Sequence, residues 1–116
     1  MKDPNLLFIF TDQQRRDTLG CYGNHLAKTP HLDALADGSS LYERPYVSQP
    51  ICTPSRSTLL TGLYPHSTGC TCNNLHLSPD VPTIAEMLPE KWEKAYFGKW
   101  HLGDEIFCQR GFNHWL

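Results

Sequence analysis

The 116-residue sequence predicts an α/β fold, with a mainly parallel sheet flanked by helices, on three observations. Asn5 to Thr11 (NLLFIFT) is a continuous apolar run of strand length without alternation, the pattern of a parallel strand covered on both faces. Further along, several segments carry helix punctuation, with a capping residue or proline at the start and glycine at the end. Finally, the order reads strand, helix, strand, helix, which buries apolar faces most simply as helices layered on a sheet.

The elements follow in order. Asn5–Thr11 is expected to be a central strand. Thr29 and Pro30 open a short helix with Leu32, Leu35 and Ala36 as its inward stripe, and Gly38 closes it. A β-rich stretch around Leu41–Val47 leads into a loop and a helix that runs from Cys52 to Gly62. There Thr53 is expected to cap, Pro54 to take the first helical position and Gly62 to stop the helix. The polar stretch Ser67–Pro82 reads as a surface loop. Thr83 and Glu86 have the spacing of a capping box for a helix carrying Ile84, Met87 and Leu88, and Ala95–His101 reads as another strand. No repeat, low-complexity tract or linker divides the chain.

Composition narrows the function classes. A formal net charge of −2 gives no basic field for nucleic acid, so anion binding has to come from a local site. No stretch approaches the ~20 apolar residues of a membrane span, and Leu6–Phe10 is too short for a signal-peptide core. Five cysteines are an odd number without framework spacing, which favours a reducing cytoplasm. A removed leader would shift that expectation to the periplasm or outside the cell.

Three constellations carry chemistry. Cys52 sits at the expected N-terminus of a helix, where unsatisfied N–H groups and the helix dipole favour an anion. Arg56, one turn in, adds a permanently charged fork suited to sulfate or phosphate oxygens. Asp12 and Gln13 end the first strand, where ligands of open α/β sheets collect, and their oxygens suit a hard divalent cation. Neighbouring side chains point to opposite faces of a regular strand, so the two can share a ligand only where the chain leaves strand geometry. Lys99 and His101 are two apart, hence on one face, with Trp100 on the other. A fourth set, His66, Cys70, Cys72 and His76, offers zinc-type ligands, but the single residue between the cysteines makes shared tetrahedral coordination awkward. His25, His31 and His114 read as surface or packing residues.

The run Cys-Thr-Pro-Ser-Arg followed by Leu-Thr-Gly resembles the signature of the type I sulfatases, members of the alkaline phosphatase superfamily. Three more motifs stand in family order: the apolar strand ending in Asp (NLLFIFTDQQ), KTPHLDALADG, and Gly98–Gly103 (GKWHLG). His66 fits the family's Thr-Gly-x-Tyr-Pro-His stretch, and the chain's last residues resemble Arg-Gly-Phe-Asp-x-Trp. Together they cover nearly the whole chain, although the family is several times longer. The resemblance therefore implies that residues 1–116 are the incomplete N-terminal segment of a sulfatase catalytic domain with an alkaline-phosphatase-like sandwich.

The resemblance further implies a sulfuric ester hydrolase. Cys52 is converted by a maturation enzyme to formylglycine, whose hydrate presents two hydroxyls, one to attack sulfur and one to expel sulfate afterwards. Catalytic roles fall to Cys52, Arg56, Lys99 and His101, and metal ligation to Asp12, Gln13 and position 52. Ca²⁺ is the first expectation, with Mg²⁺ or Mn²⁺ as alternatives. Expected partners are a small-molecule or carbohydrate sulfate ester, the maturation enzyme and a second copy through exposed apolar edges, with no nucleic acid and no membrane. Two departures from the family pattern stand out. Many relatives have a second Asp where this chain has Gln13, and a basic residue where it has Leu63. Asp-Gln is the pairing of the branch with phosphonate monoester hydrolases and choline-sulfatase-like enzymes, so a phosphonate or phosphodiester hydrolase is one alternative. A non-catalytic fragment or metal-binding module is the other. The segment alone is expected to be inactive.

Overall fold

The computed structural model describes residues 4–116, which gather into two compact units, one ending at Pro45 and the other spanning Tyr46–Leu116. In the first unit, single 3-10 turns at Arg16–Thr18 and Gly20–Tyr22 precede helix α1, Pro30–Asp37. Pro30 takes the first helical position and Gly38 follows the last, as the sequence predicts. The Thr29 hydroxyl does not cap α1. It accepts the Gly20 N–H at 2.9 Å and donates to Asp33 Oδ1 at 3.0 Å, and that same oxygen accepts the Cys21 N–H at 2.7 Å. The Lys-Thr-Pro-His-Leu-Asp motif is thus a clasp that fastens the Gly20–Tyr22 turn to α1. A Cβ at Gly20 would stand 2.5 Å from Asp33 Oδ2, so a side chain there would push this carboxylate out of the clasp.

Two expected features of this unit are not formed. Among the described residues no strand covers Asn5–Thr11, and Leu6, Leu7, Phe8 and Ile9 are exposed. A central parallel strand needs a neighbour on each edge and a layer on each face, and no such strand flanks this run. Leu41–Val47 is likewise coil. The α1 stripe stays open for the same reason: Leu35 is 65% exposed, and α1 has no buried residue.

The second unit contains α2 (Cys52–Thr61), α3 (Pro65–Thr68), α4 (Ile84–Met87), β1 (Ala95–Tyr96) and β2 (His114–Trp115). The strands pair in parallel, Ala95 with His114 and Tyr96 with Trp115. The strand expected over Ala95–His101 stops after two residues because Gly98 takes φ 99°, outside extended geometry. No described helix is long and apolar enough to cross a membrane.

The core of this unit is Leu60, Cys70, Leu77, Tyr96, Trp100 and Leu102. The Tyr96 ring packs edge-on to Trp100 at 5.2 Å and stacks on Trp115 at 5.0 Å, arrangements that satisfy the ring quadrupoles. Ser67–Pro82 is more than a surface loop. It begins in α3 and sends Cys70 and Leu77 into the core, because single apolar residues within a polar stretch are still worth burying. Burial pushes the Cys70 thiol above its ordinary range against the opposing hydrogen bonds of Thr68 and Ser57, so this cysteine is a packed, protonated group. Among the described residues, no three His, Cys, Asp or Glu side chains are grouped to hold a metal ion.

The capping box forms. Thr83 is the N-cap of α4, and the Glu86 carboxylate accepts its N–H at 2.7 Å. Glu86 also pairs with Arg110 at 3.0 Å, and Arg110 donates to the carbonyls of Ser78 and Val81. Gly111, at φ 80°, lets the chain pass α4 where a Cβ would meet the Glu86 nitrogen at 2.8 Å.

Two predictions follow from this packing. Burial alone would raise the Glu86 carboxyl, yet the Thr83 N–H and the Arg110 hydrogen bond and charge outweigh it and hold the group below its ordinary range. A lowered folded-state pKa contributes stability that is full above the ordinary glutamate value of 4.5 and is lost as pH falls through the folded value. Thermal midpoints of wild type and Glu86→Gln should therefore differ most at neutral pH and converge in acid. A gap that widens in acid would refute the assignment. The exposed Leu6–Ile9 run should also make the 116-residue chain self-associate when expressed alone. Sedimentation of a stable monomer at micromolar concentration would contradict this.

Candidate active site

Cys52 is the first residue of α2, and Ile51, in extended conformation, precedes it as N-cap without a side-chain bond. Helix entry thus comes two residues earlier than the sequence suggests. Pro54 stands third, where its missing N–H still leaves no intrahelical bond undone, and the Ser55 N–H makes the first helical bond to the Ile51 carbonyl at 2.9 Å. Thr53 is not the cap. Its hydroxyl donates to the His101 carbonyl at 2.8 Å, and its N–H donates to Asn73 Oδ1 at 3.0 Å. An amide from the Thr71–Leu75 stretch therefore supplies the cap that no residue before the helix provides. Gly62, at φ 72°, ends α2 as predicted, with its N–H on the Thr58 carbonyl at 2.8 Å.

Arg56 is buried, with 5% of its surface exposed. Its guanidinium donates to the Lys99 carbonyl and to the Tyr96 hydroxyl, the latter at 3.4 Å. Tyr96 donates to the same Lys99 carbonyl at 2.6 Å. Burial pushes the Tyr96 phenol up, and the nearby Arg56 charge pulls it only part of the way back, so the hydroxyl keeps the proton it donates. Lys99 is exposed, and its Nζ reaches Cys52 Sγ at 3.6 Å. Trp100 is buried and His101 half-buried. The expected alternation of Lys99 and His101 outward with Trp100 inward therefore holds on irregular backbone, with His101 at φ 57°.

Cys52, Arg56, Lys99 and His101 thus come together in the second unit. A polar cleft of about 220 Å³, lined by Asn74, Leu75, His76, His101, Gly103 and Glu105, opens beside His101. Sequence reasoning missed Asn73, Asn74 and Tyr96 as parts of this site. For the asparagines the only signal was an Asn-Asn pair within a polar stretch, suited to left-handed backbone, and Asn74 does take φ 66°.

Asp12 and Gln13 belong to the first unit. Both are exposed and lie in a bend, with Gln13 at φ 54°. The chain leaves strand geometry here, the condition under which adjacent side chains can turn to one ligand. The donor set, one carboxylate and one amide oxygen, fits a hard divalent cation.

The Arg56–Tyr96–Lys99 arrangement makes a graded prediction. Tyr96→Phe, which keeps the ring packing and removes the hydrogen bond to the Lys99 carbonyl together with the long one accepted from Arg56, should cost about 1 kcal/mol. Arg56→Met, which strips a partly buried carbonyl of its charged donor, should cost about 2–3 kcal/mol. Thermal unfolding of the two variants checks the order, and equal losses would deny Arg56 its anchoring role.

The sequence matches the sulfatase family model over residues 4–116. It is 40% identical to an ulvan-active sulfatase of Formosa agariphila over 97% of this chain and 24% of that protein. It is 34% identical to an N-acetylglucosamine-6-O-sulfatase of Bacteroides thetaiotaomicron over 98% of the chain and 20% of the relative. With the steryl-sulfatase of Mus musculus it shares 38% identity over 97% of the chain and 21% of the relative. The chain therefore spans about a fifth to a quarter of the length of these relatives, and it belongs to the sulfatase family.

Proposed function

We propose that this chain is the N-terminal segment of an alkaline-phosphatase-like catalytic domain whose intact polypeptide hydrolyses a sulfate monoester, with Cys52 matured to formylglycine as the nucleophile. The observation that carries this reading is the Lys99 ammonium 3.6 Å from Cys52 Sγ at the first turn of α2, in a chain of sulfatase sequence. Oxidised and hydrated, position 52 would supply two hydroxyls on one carbon, one to take the sulfuryl group from the alcohol and one to expel sulfate. Serine would lack the second.

The chain's own residues do the rest by preorganised charge. Lys99 places its ammonium where the transferring oxygens gather, and the Arg56 charge lies one helical turn behind, already desolvated by burial. A buried cation held by the scaffold, as Arg56 is, stabilises developing negative charge without reorganising at the moment of reaction. His101 exchanges the proton with the reacting oxygens. Asp12 and Gln13 would hold a divalent cation, Ca²⁺ first and Mg²⁺ or Mn²⁺ as alternatives, which supplies charge neutralisation and a lowered hydroxyl pKa.

Gln13 favours a second reading of the same site. With an amide in place of a carboxylate, the pair carries one negative charge fewer than Asp-Asp, a pairing that resembles the branch of phosphonate monoester and phosphodiester hydrolases. The relatives include an ulvan-active sulfatase and a steryl-sulfatase, so family membership alone does not choose the alcohol. It is polar and carbohydrate-like in our reading, because the cleft beside His101 presents an amide, two imidazoles and a carboxylate.

The intact polypeptide, co-expressed with a formylglycine-generating enzyme, should show sulfur exchanged for oxygen with loss of two hydrogens in the Cys52 peptide by mass spectrometry. It should turn over an activated aryl sulfate faster than the matching phosphonate ester. Lys99→Ala should lower kcat about 10²–10³-fold, and Asp12→Ala should abolish cation dependence. Cys52→Ser should stop after one turnover. A preference for the phosphonate ester would select the second reading, and multiple turnovers by Cys52→Ser would sink both.

A further inference from the structure

We infer that Asn74 is a positioning residue for His101: it holds the imidazole as the Nε2–H tautomer and leaves Nδ1 as the nitrogen able to accept a proton. Asn74 Oδ1 lies 3.3 Å from His101 Nε2 and is the ring's hydrogen-bonding partner among the described residues. The His101 backbone is already fixed on both sides. Its carbonyl accepts the Thr53 hydroxyl at 2.8 Å, and its N–H donates to the Glu105 carboxylate at 3.1 Å. Only the side-chain torsions remain to be set, and the Asn74 contact sets them.

The backbone supports this assignment. Asn74 takes φ 66° and His101 φ 57°, left-handed values that non-glycine residues adopt uncommonly and that cluster at functional sites. Asparagine tolerates that region better than most residues, so Asn74 can face the ring without a glycine's loss of the side chain. Its neighbour Asn73 caps α2 through the Thr53 N–H. The Asn73-Asn74 pair thus ties the Cys52 helix and the His101 ring to one short stretch of chain.

The tautomer follows from the other ring nitrogen. His101 Nδ1 is buried and has no hydrogen-bond partner. A proton on Nδ1 would leave a buried donor unsatisfied, which is rarer and costlier in folded proteins than an acceptor with an unused lone pair. With the proton on Nε2, Asn74 receives it and Nδ1 keeps its lone pair. Which nitrogen bears the proton is set by the hydrogen bond the other makes or lacks. Glu105 and His76 line the same cleft, but among the described residues the ring's hydrogen bond runs to Asn74 and Nδ1 has no partner, so neither replaces Asn74 on the ring.

The catalytic meaning of this role rests on the sulfatase reading, whereas the tautomer rests on geometry alone. The test uses the intact polypeptide labelled with ¹⁵N-histidine, with the His101 signals identified by their loss in His101→Gln. Long-range ¹H–¹⁵N spectra of the neutral ring should show a protonated Nε2 and an unprotonated Nδ1 in wild type. Asn74→Gly accepts the left-handed backbone but removes the acceptor, and should give both tautomers. Its kcat should fall about 10–100-fold, the usual cost of losing a partner that orients a functional histidine, with KM little changed. Asn74→Asp keeps an acceptor and should keep the single tautomer even if Asn74→Gly fails to fold. An Nδ1–H ring in wild type, or a single Nε2–H form surviving in Asn74→Gly, would overturn the inference. A correct tautomer pattern in a protein without sulfate-ester turnover would leave the Asn74 role standing and count against the proposed function.

Discussion

The carbonyl of Lys99 is the point on which the second unit's chemistry depends. Two side chains from different elements, Arg56 of α2 and Tyr96 of β1, donate to that one oxygen. A carbonyl has two lone pairs, so it can accept both, and the charged donor makes one of the bonds strong. The consequence is positional. The helix that begins with Cys52 and the loop that carries Lys99 and His101 are tied beneath the site, and the Thr53 hydroxyl makes a second tie to the His101 carbonyl. Neither tie uses the side chains of Lys99 and His101.

How much of this could be read from the sequence varies with the range of the interactions concerned. Features set by a few consecutive residues were legible: Pro30 opening α1, the Thr83/Glu86 box and the left-handed Gly62 after α2. The start of α2 was misplaced because its cap comes from Asn73, twenty residues on, and no local pattern announces a donor or acceptor from that distance. The Asn5–Thr11 strand failed for a related reason. An apolar run states only that burial is favourable, whereas a strand exists when other chain segments supply both hydrogen-bonding edges. The Ala95–His101 strand was cut short by Gly98, whose freedom at positive φ was visible in the sequence but whose use of it was not.

The four proposed catalytic residues were legible as types, from motifs, and their support was not. Nothing in GKWHLG says that the Lys99 backbone oxygen would matter as much as its ammonium. Among the described residues, the non-glycine residues at positive φ are Gln13, Asn74, His101 and Arg110. Asn74 and His101 meet in the second unit's proposed site, and Arg110 holds α4 through Glu86 and the Ser78 and Val81 carbonyls. Such conformations persist only where surrounding contacts over-determine them. For Arg110 those contacts are its ion pair and carbonyl bonds, and for His101 they are the bonds on its carbonyl, N–H and ring.

The division of labour between the two cations then follows from their surroundings. Arg56 is 5% exposed and spends hydrogen bonds on the scaffold, so its charge is fixed in place and adds a constant field beneath α2. Lys99 is exposed on a flexible four-carbon stem and meets Cys52 Sγ with its ammonium, so it can follow a transferring group as bonds lengthen. An arginine at position 99 would bring a rigid fork to a place that needs a point charge, and a lysine at 56 would leave a planar, multi-donor role half filled. Under the proposed function, a static charge below and an adjustable one above would hold a tetrahedral oxyanion while still letting its bonds rearrange.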